Sequence, residues 1–267
     1  MKNNYKDFLK LKNKSIIIIG GSGLIGSDIS LAFSSNGSKV LILDIVKPKR
    51  NILNKKKIFY EYFDLSNLKT IDTNLSKIIN KFGYPDIFIN CSYPTTSDWS
   101  NLNIENIRLS SLQKNVDIHL NSFMWSSLFF AKLMKKNKIE GSIINLSSIY
   151  GVIAQDPELY LKSNINLNMI YGSIKSGISH FTKQLASSYG KYNIRANSIA
   201  AGGLYGPIAG SNKKQDNNFL KKYAISTPLK RLGYSYEVAN LALFLSSNAS
   251  SYITGQTILI DGGKSII

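Results

Sequence analysis

Ile16-Ile17-Ile18-Ile19-Gly20-Gly21-Ser22-Gly23-Leu24-Ile25-Gly26 decides the fold. Four isoleucines in a row read as a strand buried on both faces. The glycines that follow permit a tight turn, and a helix-spaced pattern begins near Leu24 at once. A strand that turns through glycines into a helix presents backbone N–H groups and the positive end of a helix dipole to a pyrophosphate. Gly20, Ser22, Gly23, Leu24, Ile25 and Gly26 are therefore candidate phosphate-binding residues, although such turns also serve simply to start helices. Asp44 stands 18 residues after Gly26, at the end of the next apolar run. An acid there accepts both ribose hydroxyls of an adenosine and repels a 2′-phosphate, so NAD(H) is favoured over NADP(H). Lys47, Lys49 and Arg50 lie just beyond and would suit a 2′-phosphate. A strand-end aspartate capping a turn is the plainer reading of Asp44.

Outward from this stretch, strand and helix alternate. Ile16–Ile19, Val40–Ile45, Ile87–Asn90, Ile143–Leu146 and Thr257–Ile260 read as buried parallel strands, with Phe59–Phe63 and Arg195–Ile199 as weaker candidates. Leu24–Ser35, Leu68–Phe82, Ile104–Lys136, Tyr171–Tyr189 and Tyr236–Ser246 carry helical spacing. The alternation predicts an α/β fold: a Rossmann-type, doubly wound parallel sheet of about seven strands with helices on both faces. Residues 1–267 read as one dinucleotide-binding oxidoreductase domain. Val152–Ile170 and Gly202–Thr227 interrupt the rhythm. Loops this long are usually functional, and both follow strand C-termini, where ligands bind in open sheets. Residues 152–170 and 203–227 are thus candidate substrate loops.

The chain of 267 residues is 43% hydrophobic and 18% charged, ordinary values for a buried core. Its net charge of +17 is not ordinary. The lysines are scattered, however, and no basic stripe is interleaved with aromatics as a single-strand binder requires. A composition rich in Lys, Asn and Ile explains the charge without nucleic acid, and a positive field would still attract acidic or phosphorylated substrates. Cys91 is the only cysteine, which excludes an intrachain disulfide and fits a reducing, cytoplasmic compartment. The apolar run at Ile16–Ile19 is too short for a signal segment or a membrane span. His119 and His180 lack spaced Cys or carboxylate partners, so no metal site is expected.

Tyr171 and Lys175, four residues apart on a predicted helix, share one face. A phenol titrates near pH ~10, and a neighbouring ammonium is expected to lower that value. Such a Tyr gives a proton to a carbonyl oxygen as hydride arrives, or removes one from an alcohol. Chance Tyr-x-x-x-Lys matches are common. Ser148, just past the strand Ile143–Leu146, strengthens this one, because its hydroxyl can bond the same substrate oxygen.

Taken together, these motifs resemble the short-chain dehydrogenase/reductase family over essentially the whole chain. The resemblance rests on the glycine turn at Gly20–Gly26, Asp64-Leu65, Asn90-Cys91-Ser92, Ser148 in Ser-Ser-Ile-Tyr-Gly, Tyr171 with Lys175, Arg195-Ala-Asn-Ser-Ile and the ending Tyr252-Ile-Thr-Gly-Gln-Thr-Ile-Leu-Ile-Asp-Gly-Gly. It implies that Tyr171 is the acid/base, that Lys175 binds the nicotinamide ribose, and that Ser148 orients the substrate. It further implies that Asp64 and Leu65 contact adenine, that Asn90, with Cys91 and Ser92, lies along the cofactor, and that Gly202 and Leu204 flank the nicotinamide. Members are commonly dimers or tetramers, paired here through Ile104–Lys136 and Tyr171–Tyr189. Several positions depart from the family pattern. The glycines are spaced as in the larger sugar-nucleotide branch. Asn90-Cys91-Ser92 stands for Asn-Ala-Gly, and Ala201-Gly202 stands for Pro-Gly. His119 takes the fourth catalytic position, usually Asn, and is expected to keep the main-chain carbonyl that holds a relay water and to add a titration near pH ~6.5. The 23-residue spacing from Ser148 to Tyr171 is longer than in most members. That insertion, with Gly202-Gly203, looks similar to a subgroup linked to bacterial surface-sugar and flagellin modification, in which Tyr160 would contact substrate.

The expected function is hydride transfer between NAD(H) and a secondary alcohol or ketone, with a sugar or sugar phosphate as one substrate class. A 3-oxoacyl-[acyl-carrier-protein] reductase, a non-catalytic dinucleotide sensor and a charge-driven nucleic-acid binder are the alternatives. Asp44 opposes the first, intact Ser148, Tyr171 and Lys175 oppose the second, and the scattered lysines oppose the third.

Overall fold

The computed structural model describes residues 9–163, 166–207 and 214–267. Among these, seven strands form one parallel sheet: β1 (Ser15–Ile19), β2 (Lys39–Asp44), β3 (Ile58–Tyr62), β4 (Ile87–Asn90), β5 (Ser142–Ser148), β6 (Arg195–Ala201) and β7 (Thr257–Ile260). Their spatial order is β3-β2-β1-β4-β5-β6-β7, so the winding reverses between β1 and β4. Ligands bind outside the strand C-termini at such a switch point, and here Ile19 pairs with Asn90 at that edge.

Alternation along β1 builds both layers. Ile16 and Ile18 face one side, with Val40 and Ile42 of β2. They pack against α1 (Leu24–Ser35) through Ile29 and Phe33. Ile17 and Ile19 face the other side, with Leu41 and Leu43, and meet Leu75 and Ile79 of α3 (Ile71–Phe82), which follows the single-turn α2 (Arg50–Leu53). Each fully buried Ile contributes roughly 1.5–3 kcal/mol of apolar transfer, which explains why a four-isoleucine strand sits at the centre.

The predicted helix Ile104–Lys136 is interrupted. The Asn103 carboxamide oxygen accepts the N–H groups of Glu105 and Asn106 and holds a turn there. The helix starts only at α4 (Leu109–Asn115), passes through a π-turn at Val116–Asn121, and continues as α5 (Ser122–Lys136). Next come α6 (Tyr171–Tyr189), α7 (Asn217–Ile225) and α8 (Ser235–Ser246). Helix α7 lies inside the stretch read as aperiodic, and its start is fixed by Asp216, whose carboxylate accepts the N–H groups of Asn218 and Phe219. No helix among the described residues is long and apolar enough to cross a membrane.

Candidate active site

The glycine turn is built by close backbone approach. Gly20 has φ +79°, and a Cβ there would meet the Ser92 nitrogen at 2.5 Å. A Cβ on Gly26 would stand 2.1 Å from the Gly20 carbonyl oxygen. Helix α1 starts at Gly23 with no side-chain cap and no acid in its first turn. Its first N–H groups are therefore open to an anion, as a pyrophosphate requires. Asp44 stands beside this turn: its carboxylate accepts the N–H groups of Ser22 (3.0 Å) and Val46 (3.0 Å). Each carboxylate oxygen has a second lone pair for a ribose hydroxyl. The residues fit a dinucleotide. Gly206 crosses the start of α1, where a Cβ would meet Leu24 Cδ2 at 2.4 Å, so the chain after β6 passes over the phosphate turn.

The other proposed cofactor residues line the same sheet edge. Asn90 is fully buried; it donates to Ser126 Oγ and accepts from the Ser92 N–H and hydroxyl. Cys91 Sγ donates to the Ile19 carbonyl oxygen, and burial raises its thiol pKa. Asp64 accepts from the Ser66 N–H and hydroxyl. The Leu65 side chain is buried in the core with Phe63 and Leu75, so an adenine contact there falls to its main chain. Gly202 donates its N–H to Ile260 at the β6–β7 edge, and the Leu204 carbonyl accepts from Gln215.

Ser148, Tyr171 and Lys175 lie together where β5 ends against α6. Ser148 ends β5, and the turn Ile149–Gly151 folds onto α6 so tightly that a Cβ on Gly151 would lie 2.8 Å from the Lys175 backbone. Ser148 Oγ accepts the Tyr150 N–H at 3.2 Å, and its hydroxyl favours the ionised form of Tyr171. Lys175, 3% exposed, donates Nζ to the Leu146 carbonyl at 3.0 Å, and Nζ lies 5.8 Å from the Tyr171 ring centre.

Two electrostatic expectations are corrected. Tyr171 is not depressed by Lys175. Burial pushes the phenol up to about 12, with the Ser148 hydroxyl acting against it. Burial pulls Lys175 itself down to about 7, so near neutral pH the ammonium is only partly present. His119 does not titrate near 6.5: complete burial first, and Lys175 second, hold it well below that value. Its main-chain carbonyl already accepts the N–H and hydroxyl of Ser122, while neither ring nitrogen has a hydrogen-bond partner among the described residues.

Several residues at the site escaped the sequence reading. Tyr93 and Trp99, from the segment after β4, each meet Tyr171 edge-on, at 5.9 and 6.2 Å between ring centres. Both also contact His119, at 5.4 and 6.1 Å. Asn168 fixes this arrangement: its side-chain oxygen accepts the N–H groups of Ile170 and Tyr171, and its amide donates to the Trp99 carbonyl at 2.7 Å. The 152–170 segment also packs on α7. Tyr160 meets Phe219 at 5.7 Å, Phe219 meets Tyr223 at 5.7 Å, and Lys222 Nζ donates to the Glu158 and Leu161 carbonyls. The only sequence signal was the aromatic content of these stretches, which does not say where a loop folds back.

Fold and site together define a Rossmann-type oxidoreductase that binds a nicotinamide dinucleotide. A family model described as enoyl-(acyl carrier protein) reductase matches residues 22–265. The chain belongs to the short-chain dehydrogenase/reductase family, whose members act on CH–OH or carbonyl groups. Post-translational flagellin modification protein A of Campylobacter coli is 30% identical over 260 residues, covering 95% of this chain and 98% of that protein. This likeness bears out the similarity to flagellin-modification proteins. Sorbose reductase SOU1 of Candida albicans is 31% identical, covering 98% of this chain and 91% of the relative. A short-chain dehydrogenase structure from Leptospira borgpetersenii, with bound NAD+, superposes with a TM-score of 0.85 at 31% identity, covering 99% of this chain and 97% of that one.

Proposed function

We propose that this enzyme interconverts a secondary alcohol and a ketone with NAD(H), Tyr171 serving as acid and base, and that its substrate is a sugar or sugar phosphate of surface-glycan synthesis. The observation that carries the reaction is the meeting of Ser148, at the open end of β5, with Tyr171 and Lys175 of α6, where Lys175 Nζ bonds the Leu146 carbonyl of β5 and lies 5.8 Å from the Tyr171 ring centre. When bound, the dinucleotide supplies or accepts the hydride. In the reductive direction Ser148 holds the carbonyl oxygen and Tyr171 gives it a proton. The raised phenol pKa keeps Tyr171 protonated, the state an acid needs. One N–H of Lys175 is used by Leu146. Its remaining N–H groups hold the nicotinamide ribose, and acceptors there favour the ammonium.

Asp44 holds the adenosine ribose and favours NAD(H) over NADP(H). Asp64 and the Leu65 main chain meet adenine, Asn90, Cys91 and Ser92 line the cofactor, and Gly202 and Leu204 flank the nicotinamide. His119 is a neutral member of the catalytic group, and Tyr160 touches substrate. We place the enzyme in the cytoplasm, as a homodimer or homotetramer paired through α5 and α6, where Trp125 is 44% exposed; neither nucleic acid nor a membrane is a partner. The sugar assignment is supported by the likeness to a sorbose reductase and a flagellin-modification protein. A 3-oxoacyl-[acyl-carrier-protein] reductase is the second reading, supported by the likeness to such a reductase from Chlamydia muridarum.

Deuterium transfer tests the reaction. The enzyme is incubated with NADH carrying deuterium at C4 and a panel of ketoses and 3-oxoacyl thioesters, and the alcohols are analysed by mass spectrometry. A gain of one deuterium in a product is expected; no labelled alcohol from any ketone contradicts the proposal. Labelled product from acyl thioesters alone, with NADPH preferred, selects the second reading.

A further inference from the structure

A parallel sheet starts all its strands at one end, so loops far apart in sequence meet along one rim. Here that rim lies opposite the cofactor edge, about 16–23 Å away along β1 and β5 at about 3.3 Å per residue. Lys12 and Lys14 precede β1, Lys39 opens β2, and Lys55, Lys56 and Lys57 precede β3. Lys135 and Lys136 end α5, Lys138 follows them, and Lys191 lies between α6 and β6. All but Lys39 are exposed. Main-chain bonds join the strand starts. The Lys39 N–H donates to the Lys14 carbonyl at 2.8 Å, and the Val40 N–H to the Lys57 carbonyl at 2.8 Å. The Ser142 N–H donates to the Asp86 carbonyl at 3.1 Å, and the Arg195 N–H to the Gly141 carbonyl at 2.9 Å. Lysines scattered along the chain are thus collected by the topology into a rim about 24 Å wide from β3 to β6.

Little at this rim offsets their charge. Asp86 holds Lys14 Nζ at 2.9 Å and accepts the Ser15 N–H, and Glu140 accepts from the Asn193 amide. Among the described residues, the loops leading into β1 to β6 contain no other carboxylate. Residues 1–8, outside that set, bring Lys2 and Lys6 against Asp7 and do not reverse the balance. Helix ends account for part of the pattern. The C-termini of α1, α3, α5 and α6 lie here, and each carries about half a negative charge, about −2 together. That is well short of the ammonium charge present. Several ammonium groups are also held in place. Lys39 Nζ donates to the Phe82 carbonyl at 2.9 Å and Lys57 Nζ to the Gly37 carbonyl at 2.7 Å. Lys135 and Lys191 stand over the Tyr192 ring at 4.7 and 5.3 Å. Charges already fixed lose less entropy when an anion docks.

The same residues indicate the kind of anion. Arg195, the arginine at this rim, spends its guanidinium on the carbonyls of Leu245, Ser247 and Ile253 and offers no free fork to a phosphate. Phe82 and Tyr192 carry ammonium groups over their rings, so neither is an open platform for a base. Separate point charges spread over a surface match carboxylates spread over another surface. We propose that this rim docks an acidic protein through its Asp and Glu side chains and leaves the cofactor edge free.

Fluorescein-labelled poly-L-glutamate is the probe, titrated with the protein at about 0.15 M salt, where charges more than about 8 Å apart are screened. Saturable binding is expected. Lys12→Glu/Lys55→Glu/Lys191→Glu reverses three rim charges. Lys77→Glu/Lys114→Glu/Lys221→Glu makes the same change in net charge at exposed positions on α3, α4 and α7. Affinity is expected to fall at least tenfold in the rim variant and less than threefold in the control, with the Tm of both near wild type. Glutamine at the same three rim positions is expected to cost at least threefold, which keeps the test decisive if the glutamate variant unfolds. No saturable binding, or equal losses in rim and control variants, overturns the proposal. So does rim-dependent binding of duplex DNA or of phosphatidylglycerol vesicles that is tighter than that of polyglutamate. None of these outcomes depends on the oxidoreductase reading.

Discussion

The two halves of this site are made by different means. The proposed cofactor half, from β1 through β4, is shaped by backbone: glycines pressed against neighbouring main chain, an uncapped helix start and one carboxylate held by two N–H groups. The proposed substrate half is shaped by side chains from four distant stretches that meet only in three dimensions. Tyr93 and Trp99 follow β4, Tyr150 follows β5, Tyr160 lies in the insertion, and Phe219 and Tyr223 come from α7. A backbone site tolerates almost no added atom at its contacts and has few alternatives. A side-chain site can be repacked to fit another ligand without disturbing the sheet.

That contrast can be broken or sharpened by substitution. The largest effect belongs to the cofactor half. Gly26→Ala places a methyl against a backbone carbonyl that has no side-chain freedom to move, so NADH affinity should fall more than 100-fold by fluorescence titration. A loss under tenfold would show that the turn is not set by close approach. Asp44→Ala should raise the KM for NADH about tenfold and reverse or erase the preference over NADPH, as one charge-assisted hydrogen-bond acceptor is removed. A smaller effect is expected at Asn168, which ties Trp99 to the start of α6. Asn168→Ala should cost about 1 kcal/mol in urea unfolding and raise the substrate KM severalfold with NADH binding unchanged. Weaker NADH binding in that variant would mean the halves are not separable.

Lys175 gives a pH-dependent prediction. Its folded-state pKa is about 7, whereas an ordinary lysine titrates near ~10.4. Between those values the unfolded chain holds the extra proton, so the stability of cofactor-free protein should rise as pH increases from about 7 to about 10. Lys175→Met should lose this part of the pH dependence of Tm, and parallel profiles would contradict the assignment. Gly190→Ala, with open space around the added methyl, should leave both halves unchanged, within about 0.5 kcal/mol of wild-type stability.

The same contrast explains what could be read from the sequence. A four-isoleucine strand, a glycine turn and a helix are contiguous, so Gly20–Gly26 and Asp44 were visible as a unit. Tyr171 and Lys175 were visible because one helix turn brings them together. Tyr93 and Trp99 were not, because the Tyr171 ring they meet lies more than seventy residues further along the chain and no local period marks them. Helix α7 was hidden in a stretch with little apolar spacing; it depends on the Asp216 cap and on Phe219 and Tyr223 packing against the insertion. The helix over Ile104–Lys136 was drawn too long because its apolar spacing continues through a turn held by Asn103. The charge states of Tyr171 and His119 were misjudged because burial, which outweighs neighbouring charge here, is a property of packing.

The central claim is that the Tyr171 hydroxyl passes the proton beside a bound nicotinamide. Replacing it with phenylalanine removes one oxygen and leaves the ring against Tyr93 and Trp99. Turnover of a ketone and NADH affinity should be measured on the same Tyr171→Phe preparation. Turnover reduced at least a thousandfold with NADH affinity within threefold of wild type is the predicted result. Turnover within tenfold of wild type would contradict it.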